Sequence, residues 1–498
     1  MFLRQILTRV LILSAIAVSA WTPTVRAQTE WPSFTRFLLF TNNHTMPDGS
    51  AIWFSTSAHF DGWVHTNTEF RFTGQPFFGD SVSSVSPKAW FYNYGSSLEL
   101  DADHNKSIDV PVFQRGFTRG VAPVLLPTDS YEQQNAALGL FWYPTPPSTR
   151  QVNMTLGTGT LGEPVPNGIY IPNSLGTCTG GIYVEGNADQ ILAVADTVMS
   201  RQVFRIRQGA TIKTIFIDPA AYTTTVVVDS TTTVYSGVPR GLLYVTGSIN
   251  DLRGPDRAGS WLPAALLDGQ GWSFICPNDI VIQRDVTVQR FDTSATVAGV
   301  FSSNGSVRIG TLAPNDLHLD AFVMATGSSG AFAVDAYNSG APRGTCYLRG
   351  GCVGQYYGPF GLFGSDGAVT HGYARDFRHD DRPVFPPFWP IARSVMLAAP
   401  TPGAEAEVLF LSTPFPNPAH GSMRIRYAIP RAGHVGIAIF DILGRRVATL
   451  VDANQPAGEH EAAWSNARAG GRSLGPGIYF LRLDARGESR NARIVVLE

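Results

Sequence analysis

The chain carries little charge of either sign and almost no lysine. Of its 498 residues, 15% are Asp, Glu, Lys or Arg, three are lysines, and the net charge is −2. A chain this close to neutral has no overall field to attract nucleic acid or acidic lipid, so we expect no nucleic-acid partner. Hydrophobic residues make up 44% and aromatic residues 11%, which excludes a largely disordered chain.

Long apolar runs are missing except at the N-terminus. A basic start is followed by an apolar run from Val10 to Trp21 and then by Val25-Arg26-Ala27 before Gln28. This order predicts a cleavable signal peptide over residues 1–27 and a protein that is secreted or attached to the outer cell surface. The run is too short for a comfortable membrane span, and we expect no transmembrane segment after signal removal.

Cysteine is scarce as well. The chain has four cysteines, Cys178, Cys276, Cys346 and Cys352. An even number in an exported protein favours disulfides. Cys346 and Cys352 are close enough in sequence to close a small loop, which would leave Cys178 and Cys276 to pair. Buried free thiols are the alternative, and the spacing resembles no zinc site.

Helical periodicity is hard to find. The best candidates are residues 189–199 and short turns near residues 131–138. Elsewhere short apolar runs alternate with polar residues and end at Gly, Asn, Asp or Pro, which is the pattern of strands and turns. The sequence therefore predicts an all-β protein.

One strand pattern recurs along the body, residues 28–393. It is clear at 181–187 and 241–247, and weaker copies lie at 272–282, 304–309 and 344–348. Spacings of roughly twenty to forty residues are typical of repeat architectures, which predicts a parallel β-helix-like solenoid. An ordinary antiparallel sandwich is the alternative. Residues 201–238 alternate cleanly and predict two or three inserted antiparallel strands.

A domain boundary is expected near residue 394. Residues 383–390 read PVFPPFWP, which no central strand or helix accommodates. Residues 394–408 then have the composition of a linker, and a second domain is predicted over residues 409–498.

The second domain carries a recognisable order of motifs. Pro414-Phe-Pro-Asn-Pro418 is followed by an alternating strand, by Asp441 and a Leu-Gly-Arg turn, by Gly-Glu-His and Trp464, and by Gly477-Ile-Tyr479. This order resembles the C-terminal sorting domain of type IX secretion cargo, and it is similar to the immunoglobulin-like domain of the flagellar hook-capping family. The resemblance implies an immunoglobulin-like β-sandwich recognised by outer-membrane secretion and sorting machinery. The motif residues are Pro416, Asn417, Pro418, Asp441, Gly444, Trp464, Gly477 and Tyr479.

The body resembles a less informative family. Residues 52–67, the Phe77-Phe-Gly-Asp80 run, and the later segments GIYVEGN, GLLYVTGSINDLRG and NDIVI are similar to an uncharacterised bacterial domain family found alongside PilX-type pilus assembly proteins. The resemblance covers roughly residues 35–391. It implies an architecture, with a pilus-associated assembly factor as one expected role.

Two clusters could bind a metal. Alternation places His59, Asp61, Trp63 and His65 on one strand face, although Gly62 and Asn67 favour a turn there. Asp101, Asp103, Asn105 and Asp109 recur at every second position as in a calcium loop, but Lys106 and Val112 stand where that loop needs Gly and Glu. A solvated acidic loop is the alternative. Calcium is the one cofactor suggested.

Catalytic motifs give no better signal. The glycines at 157, 159 and 162 are followed by prolines, so no helix is available to hold a phosphate. Gly471, Ser473 and Gly475 match a nucleophile elbow in letters, but a strand follows instead of a helix. We expect a structural or adhesive surface protein that is not an enzyme, with a surface glycan or envelope component as partner. A polysaccharide-cleaving enzyme using residues such as Asp251, Arg253, Asp256 and Arg257 is the alternative.

Overall fold

The computed structural model describes two compact units. They comprise Met1–Val395 and Met396–Glu498. The described residues are 33–140, 144–159, 162–291, 296–364, 368–382, 386–390, 393–394, 409–411, 422–441, 444–456, 458–465, 475–485 and 487–496. The predicted signal peptide, residues 395–408 of the predicted linker, and Pro416, Asn417 and Pro418 lie outside them.

Strands dominate both units, which confirms the all-β class. After a 3₁₀ turn at Phe34–Arg36, the first strands are β1 (Phe37–Asn43), β2 (His59–Phe60), β3 (Trp63–Thr66), β4 (Arg71–Phe72), β5 (Phe77–Phe78), β6 (Val82–Ser84), β7 (Ala89–Asn93), β8 (Ser96–Leu100), β9 (Val112–Phe113), β10 (Phe117–Arg119) and β11 (Val124–Leu125). The helices of the described residues are α1 (Tyr131–Ala137) and α2 (Thr149–Leu156). Neither has the length and hydropathy of a membrane-crossing segment.

The rest of the first unit contains β12 to β32. These strands are β12 (Gly168–Tyr170), β13 (Asn173–Ser174), β14 (Thr177–Cys178), β15 (Ile182–Glu185), β16 (Gln190–Asp196), β17 (Arg201–Gln208), β18 (Thr211–Asp218), β19 (Thr223–Val228), β20 (Thr231–Ser236), β21 (Leu242–Val245), β22 (Ile249–Arg253), β23 (Trp272–Cys276), β24 (Ile280–Ile282), β25 (Ala298–Ser302), β26 (Val307–Ile309), β27 (His318–Ala325), β28 (Phe332–Val334), β29 (Pro342–Tyr356), β30 (Gly361–Phe363), β31 (Val369–His379) and β32 (Arg393–Ser394). Ser394, assigned to the linker from the sequence, pairs with Val124.

Two ladders of parallel strands organise the first unit. The main sheet has the order β10-β6-β3-β1-β29-β27-β25-β23-β21-β15-β12, and the second sheet contains β16-β22-β24-β26-β28. Consecutive strands from β21 to β28 alternate between the two sheets, so the chain returns to the main sheet after each visit to the second. The recurring pattern seen in the sequence therefore marks strands of these ladders.

The main sheet is buried on both faces. On β21, Leu243 and Val245 face the larger core while Leu242 and Tyr244 face a second core, and β23, β25 and β27 of the same sheet likewise contribute to both cores. Residues of α1 and Trp389 contribute to that second core. Such two-sided burial explains why these strands read as nearly continuous apolar runs.

The N-terminal strands stack with a period of 18 residues that the sequence analysis missed. Val64 lies beside Val82 in the main sheet, Phe60 beside Phe78 in β2 and β5, and the bridge partners Phe54 and Phe72 are equally spaced. The regularity is interrupted because β8 and the following loop are inserted before β9. Aromatic rings fill the interior of this stack, with the Phe72 and Phe91 centroids 5.7 Å apart.

The antiparallel insertion is larger than predicted, and one predicted helix is wrong. Strands β17 to β20 form a four-stranded antiparallel meander that extends the second sheet beyond β16. The segment 189–199, predicted as a helix, contains β16, because its residues pair with both β17 and β22. Its buried Ile191 and Ala193 alternate as in a strand.

The predicted disulfides are also corrected. All four cysteines are free thiols: Cys276, Cys346 and Cys352 are buried and Cys178 is partly buried. Cys178 lies in β14 of the second sheet and Cys276 in β23 of the main sheet, while Cys346 and Cys352 belong to the same strand, β29. No pair is therefore at bonding distance.

The second unit consists of two antiparallel sheets around one core. Its strands are β33 (Phe410–Leu411), β34 (Ser422–Ile429), β35 (Gly433–Phe440), β36 (Arg446–Gln455), β37 (Gly458–Ser465), β38 (Gly477–Ala485) and β39 (Glu488–Val496). The sheets have the orders β33-β34-β37 and β36-β35-β38-β39. Buried residues from both sheets, including Ile425, Ile437, Trp464 and Leu481, form a core belonging to this unit alone.

Candidate functional site

Motif residues that are distant in sequence meet at one end of the four-stranded sheet. Phe440, the last residue of β35, pairs with Phe480 near the start of β38. Asp441 follows Phe440 directly, and Gly477 and Tyr479 lie just before Phe480. The pairing of β35 with β38 therefore places the Asp-x-x-Gly-Arg turn beside the Gly-Ile-Tyr motif.

The turn after β35 is held by Asp441. Its Oδ1 accepts a hydrogen bond from the Arg445 backbone N–H at 2.9 Å, and its Oδ2 accepts one from Arg445 Nε at 2.7 Å. The Gly444 N–H donates to the Asp441 carbonyl at 2.9 Å, and Gly444 has φ +76°, a conformation that favours glycine. This part of the motif is thus required to shape a turn.

Tyr479 anchors the start of β38. Its hydroxyl donates to the Gly475 carbonyl, four residues upstream, at 2.9 Å. The first unit contains the same arrangement, in which the Tyr170 hydroxyl donates to the Pro166 carbonyl at 2.8 Å. Both tyrosines follow a Gly-Ile pair, so the motif fixes the entry of a strand in each unit.

An exposed apolar surface lies next to these turns. Tyr479, Leu481 and Leu483 point toward the core side of β38, which leaves Ile478 46% and Phe480 44% exposed on the other face. Val447, on β36 at the edge of the same sheet, is also exposed. Strand alternation could have indicated this outer face from the sequence, whereas the Gly-Ile-Tyr motif includes Ile478 but not Phe480. We call Ile478 and Phe480 the β38 apolar pair.

The side chains of the candidate calcium loop contact other residues of the protein. The carboxylates of Asp101 and Asp103 both form ion pairs with Arg119, the former at 3.2 Å. Asp109 Oδ1 accepts from the Gly74 N–H at 2.7 Å, and the Asn105 amide donates to the Tyr92 carbonyl at 3.3 Å. The four candidate ligands therefore contact three separate partners, Arg119, Gly74 and Tyr92. No group of three or more His, Cys, Asp or Glu side chains suited to a metal occurs in the described ranges.

The His59 to His65 group is divided by the structure. His65 is buried, with Nδ1 2.8 Å from Ser83 Oγ and Nε2 3.0 Å from Asn67 Oδ1, and burial lowers its pKa to about 4. Trp63 donates to the same Ser83 hydroxyl at 3.0 Å. His59 instead stacks on Phe77 at 4.5 Å and is exposed. These residues do not converge on one metal or substrate atom.

The four charged residues considered for polysaccharide cleavage are engaged in ion pairs. Arg253 pairs with Asp251, and Asp256 lies 3.0 Å from Arg284. Arg257 reaches the buried Asp285 through two hydrogen bonds of 2.6 and 2.7 Å. Pairing of this kind holds turns between the ladders in place.

Comparisons with known proteins identify two segments of the chain. Residues 14–86 match a family described as a domain of unknown function, DUF4900, a shorter stretch than the resemblance expected over 35–391. No curated protein matches the sequence. The crystal structure of dimeric latent PorU from Porphyromonas gingivalis is similar at 22% identity over 22% of this chain and 10% of that chain, with a TM-score of 0.15.

The second segment is the informative one. Residues 413–497 match the family described as the secretion system C-terminal sorting domain. They lie within the second unit and contain the turn at Asp441 and the Gly477 to Tyr479 motif. The sorting domain indicates a type IX secretion substrate, and the chain is accordingly a secreted or cell-surface protein.

Proposed function

We propose that the protein is a structural or adhesive component of the cell surface, delivered by the unit comprising residues 396–498. The observation that carries this proposal is that the sorting-domain match falls inside a unit with its own core. The secretion machinery can recognise a separately folded sorting domain without contacting the body. The two facing antiparallel sheets and the Tyr479 hydrogen bond favour an immunoglobulin-like sandwich.

The proposed docking surface for the machinery is the β38 apolar pair. Two large apolar side chains that lie half exposed beside the Asp441 turn and the Tyr479 strand entry offer the contact area that protein recognition requires. The Asp441 turn and Tyr479 would act by fixing the strand that presents them.

For the body, we propose a parallel β-solenoid without catalytic activity. The support is the alternation of consecutive strands between two parallel ladders, in which each turn of chain covers the previous one. The engagement of Arg253, Asp256 and Arg257 in ion pairs favours a scaffold role for these side chains. Release of reducing sugar from surface polysaccharides by the purified protein would contradict this part of the proposal.

Deletion of residues 396–498 tests the delivery role. In cells with a working type IX system, we expect the truncated protein to accumulate in the periplasm, while the full chain reaches the surface or medium. A matched control carries Val234→Ser, which changes an exposed valine of the body that is 61% accessible. Unchanged surface delivery of the truncated protein would exclude the proposed role of the second unit.

A further inference from the structure

Arg375 has an unusual environment for a charged residue. It lies in β31 between Tyr373 and Phe377, both of which are buried. Its guanidinium lies over the ring of Tyr357, 4.8 Å from the centroid, and 5.6 Å from that of Phe360. Within the part of the chain that the structure describes, its side chain has no hydrogen bond or ion pair. Unlike its two neighbours, Arg375 is exposed, so its guanidinium donors are available for a ligand.

A polar groove gives access to this arginine. The groove lies between β2 and β31, has a volume of about 440 Å³, and is lined by His59, Asp61, Arg375, Asp376, Phe377 and Arg378. Asp61 accepts from the His379 N–H at 3.0 Å, and Asp376 binds Arg378 through bonds of 3.0 and 3.1 Å. These two carboxylates are thus engaged elsewhere in the groove wall.

A second, mostly apolar cavity meets the groove at the same arginine. Its volume is about 20 Å³, enough for a single water, and it is lined by residues that include Leu39, Phe60, Phe332 and Cys352. Arg375 and Phe377 line both spaces. The guanidinium consequently stands where a wet groove meets the apolar interior.

No carboxylate of the described residues forms an ion pair with Arg375, which is exposed to the groove and therefore stays cationic at neutral pH. Burial raises the pKa of Cys352 to about 12 and that of Cys346 further, so both thiols stay protonated. Nearby His44 is neutral, since burial, Arg71 and Arg375 lower its pKa to about 3. An exposed arginine that lines a groove without an ion-pair partner can bind an anionic ligand through its guanidinium.

We propose that this groove is an oxyanion-binding site in which Arg375 holds a carboxylate, sulfate or phosphate group. A guanidinium stacked on aromatic rings keeps its in-plane N–H groups free for the two oxygens of such a group. The oxyanion belongs either to a free inorganic ion or to an acidic surface saccharide. If the ligand is an acidic saccharide, the site would give the ligand class for the proposed surface role, and this part of the inference rests on that proposed role.

Calorimetry on the purified full chain tests the proposal at constant ionic strength. The probes are inorganic phosphate, trigalacturonate and, as an uncharged control, maltotriose. We expect one molecule of an anionic probe to bind per chain and maltotriose to give no signal. Arg375→Gln should weaken binding about tenfold or more, because a charge-assisted hydrogen-bonded contact is lost. Arg205→Gln, which removes an exposed arginine of β17, should leave the affinity unchanged.

The outcomes distinguish a saccharide from a free ion as the source of the oxyanion, and they test this site independently of the proposed delivery role. Tighter binding of trigalacturonate than of phosphate assigns the site to a saccharide, and the reverse assigns it to a free ion. No binding of either anion at millimolar concentration, or equal weakening by both variants, overturns the site. If circular dichroism shows that Arg375→Gln is unfolded, Arg375→Lys keeps the charge without the planar fork and should bind more weakly than the wild type. Equal binding by a folded Arg375→Lys would contradict the bidentate contact. Because purified protein is used, failure of export leaves this result unaffected.

Discussion

The buried ion pair of Arg257 and Asp285 allows the structural role of the charged turn residues to be measured. The Asp285 side chain is 4% exposed, and each of its oxygens accepts a hydrogen bond from the Arg257 guanidinium, at 2.7 and 2.6 Å. Oδ1 also accepts from the His318 N–H at 2.8 Å. Arg257→Ala leaves this carboxylate buried without its cation. We expect the free energy of unfolding to fall by about 3–5 kcal/mol.

Urea titration followed by circular dichroism measures this loss. The matched control is Arg378→Ala, which removes the same type of two-bond contact with Asp376 at a site where the arginine is 66% exposed. Solvent screening should limit that loss to about 1 kcal/mol or less. If Arg257→Ala and Arg378→Ala cost the same small amount, the burial argument is refuted.

Three further results are expected. The folded-state pKa of His65 is about 4 against an ordinary 6.5, so the unfolded chain binds the proton first, and His65 should lower stability by about 3 kcal/mol as pH falls from 6.5 to 4. Buried His44, with a pKa of about 3, adds a similar decline over this range, so His65→Gln should remove about half of the slope, and an unchanged slope would exclude His65 as one of its sources. Tyr479→Phe should cost the second unit about 1 kcal/mol in thermal unfolding, and no loss would show that the hydrogen bond to Gly475 is not stabilising. Replacing Ile478 and Phe480 together by serine should reduce surface delivery in cell fractionation while circular dichroism stays unchanged, whereas normal delivery would remove them from the docking surface.

Local patterning allowed several buried strands of the body to be predicted. The segments at 181–187, 241–247 and 272–282 contain β15, β21, β23 and β24, because apolar runs bounded by glycine and asparagine specify buried strands whatever their partners. Residues 189–199 were misassigned because Ile191, Leu192 and Val194 fit a helical stripe as well as a strand. The segment forms a strand because it pairs with β17 and with the more distant β22, and this pairing outweighs the local preference for a helix.

Long-range geometry decided the remaining features. The cysteine spacing suggested a bond between Cys346 and Cys352, but a single strand holds both. The sequence around Arg375 gives no indication of a binding site. The site depends on the groove between β2 and β31 and on the rings of Tyr357 and Phe360, which are brought together by the fold. The motif around Asp441 and Tyr479 could be recognised because turns and strand entries are local structures.

Transfer of the second unit to an unrelated carrier tests the account most directly. A periplasmic fluorescent protein joined to residues 396–498 should appear at the surface or in the medium of cells with an active type IX system and remain inside cells that lack it. The same carrier without the unit should stay in the periplasm of both strains. Retention of the fusion in the active strain, with the attached unit shown to be folded by resistance to protease, would contradict the claim that this unit alone carries the address.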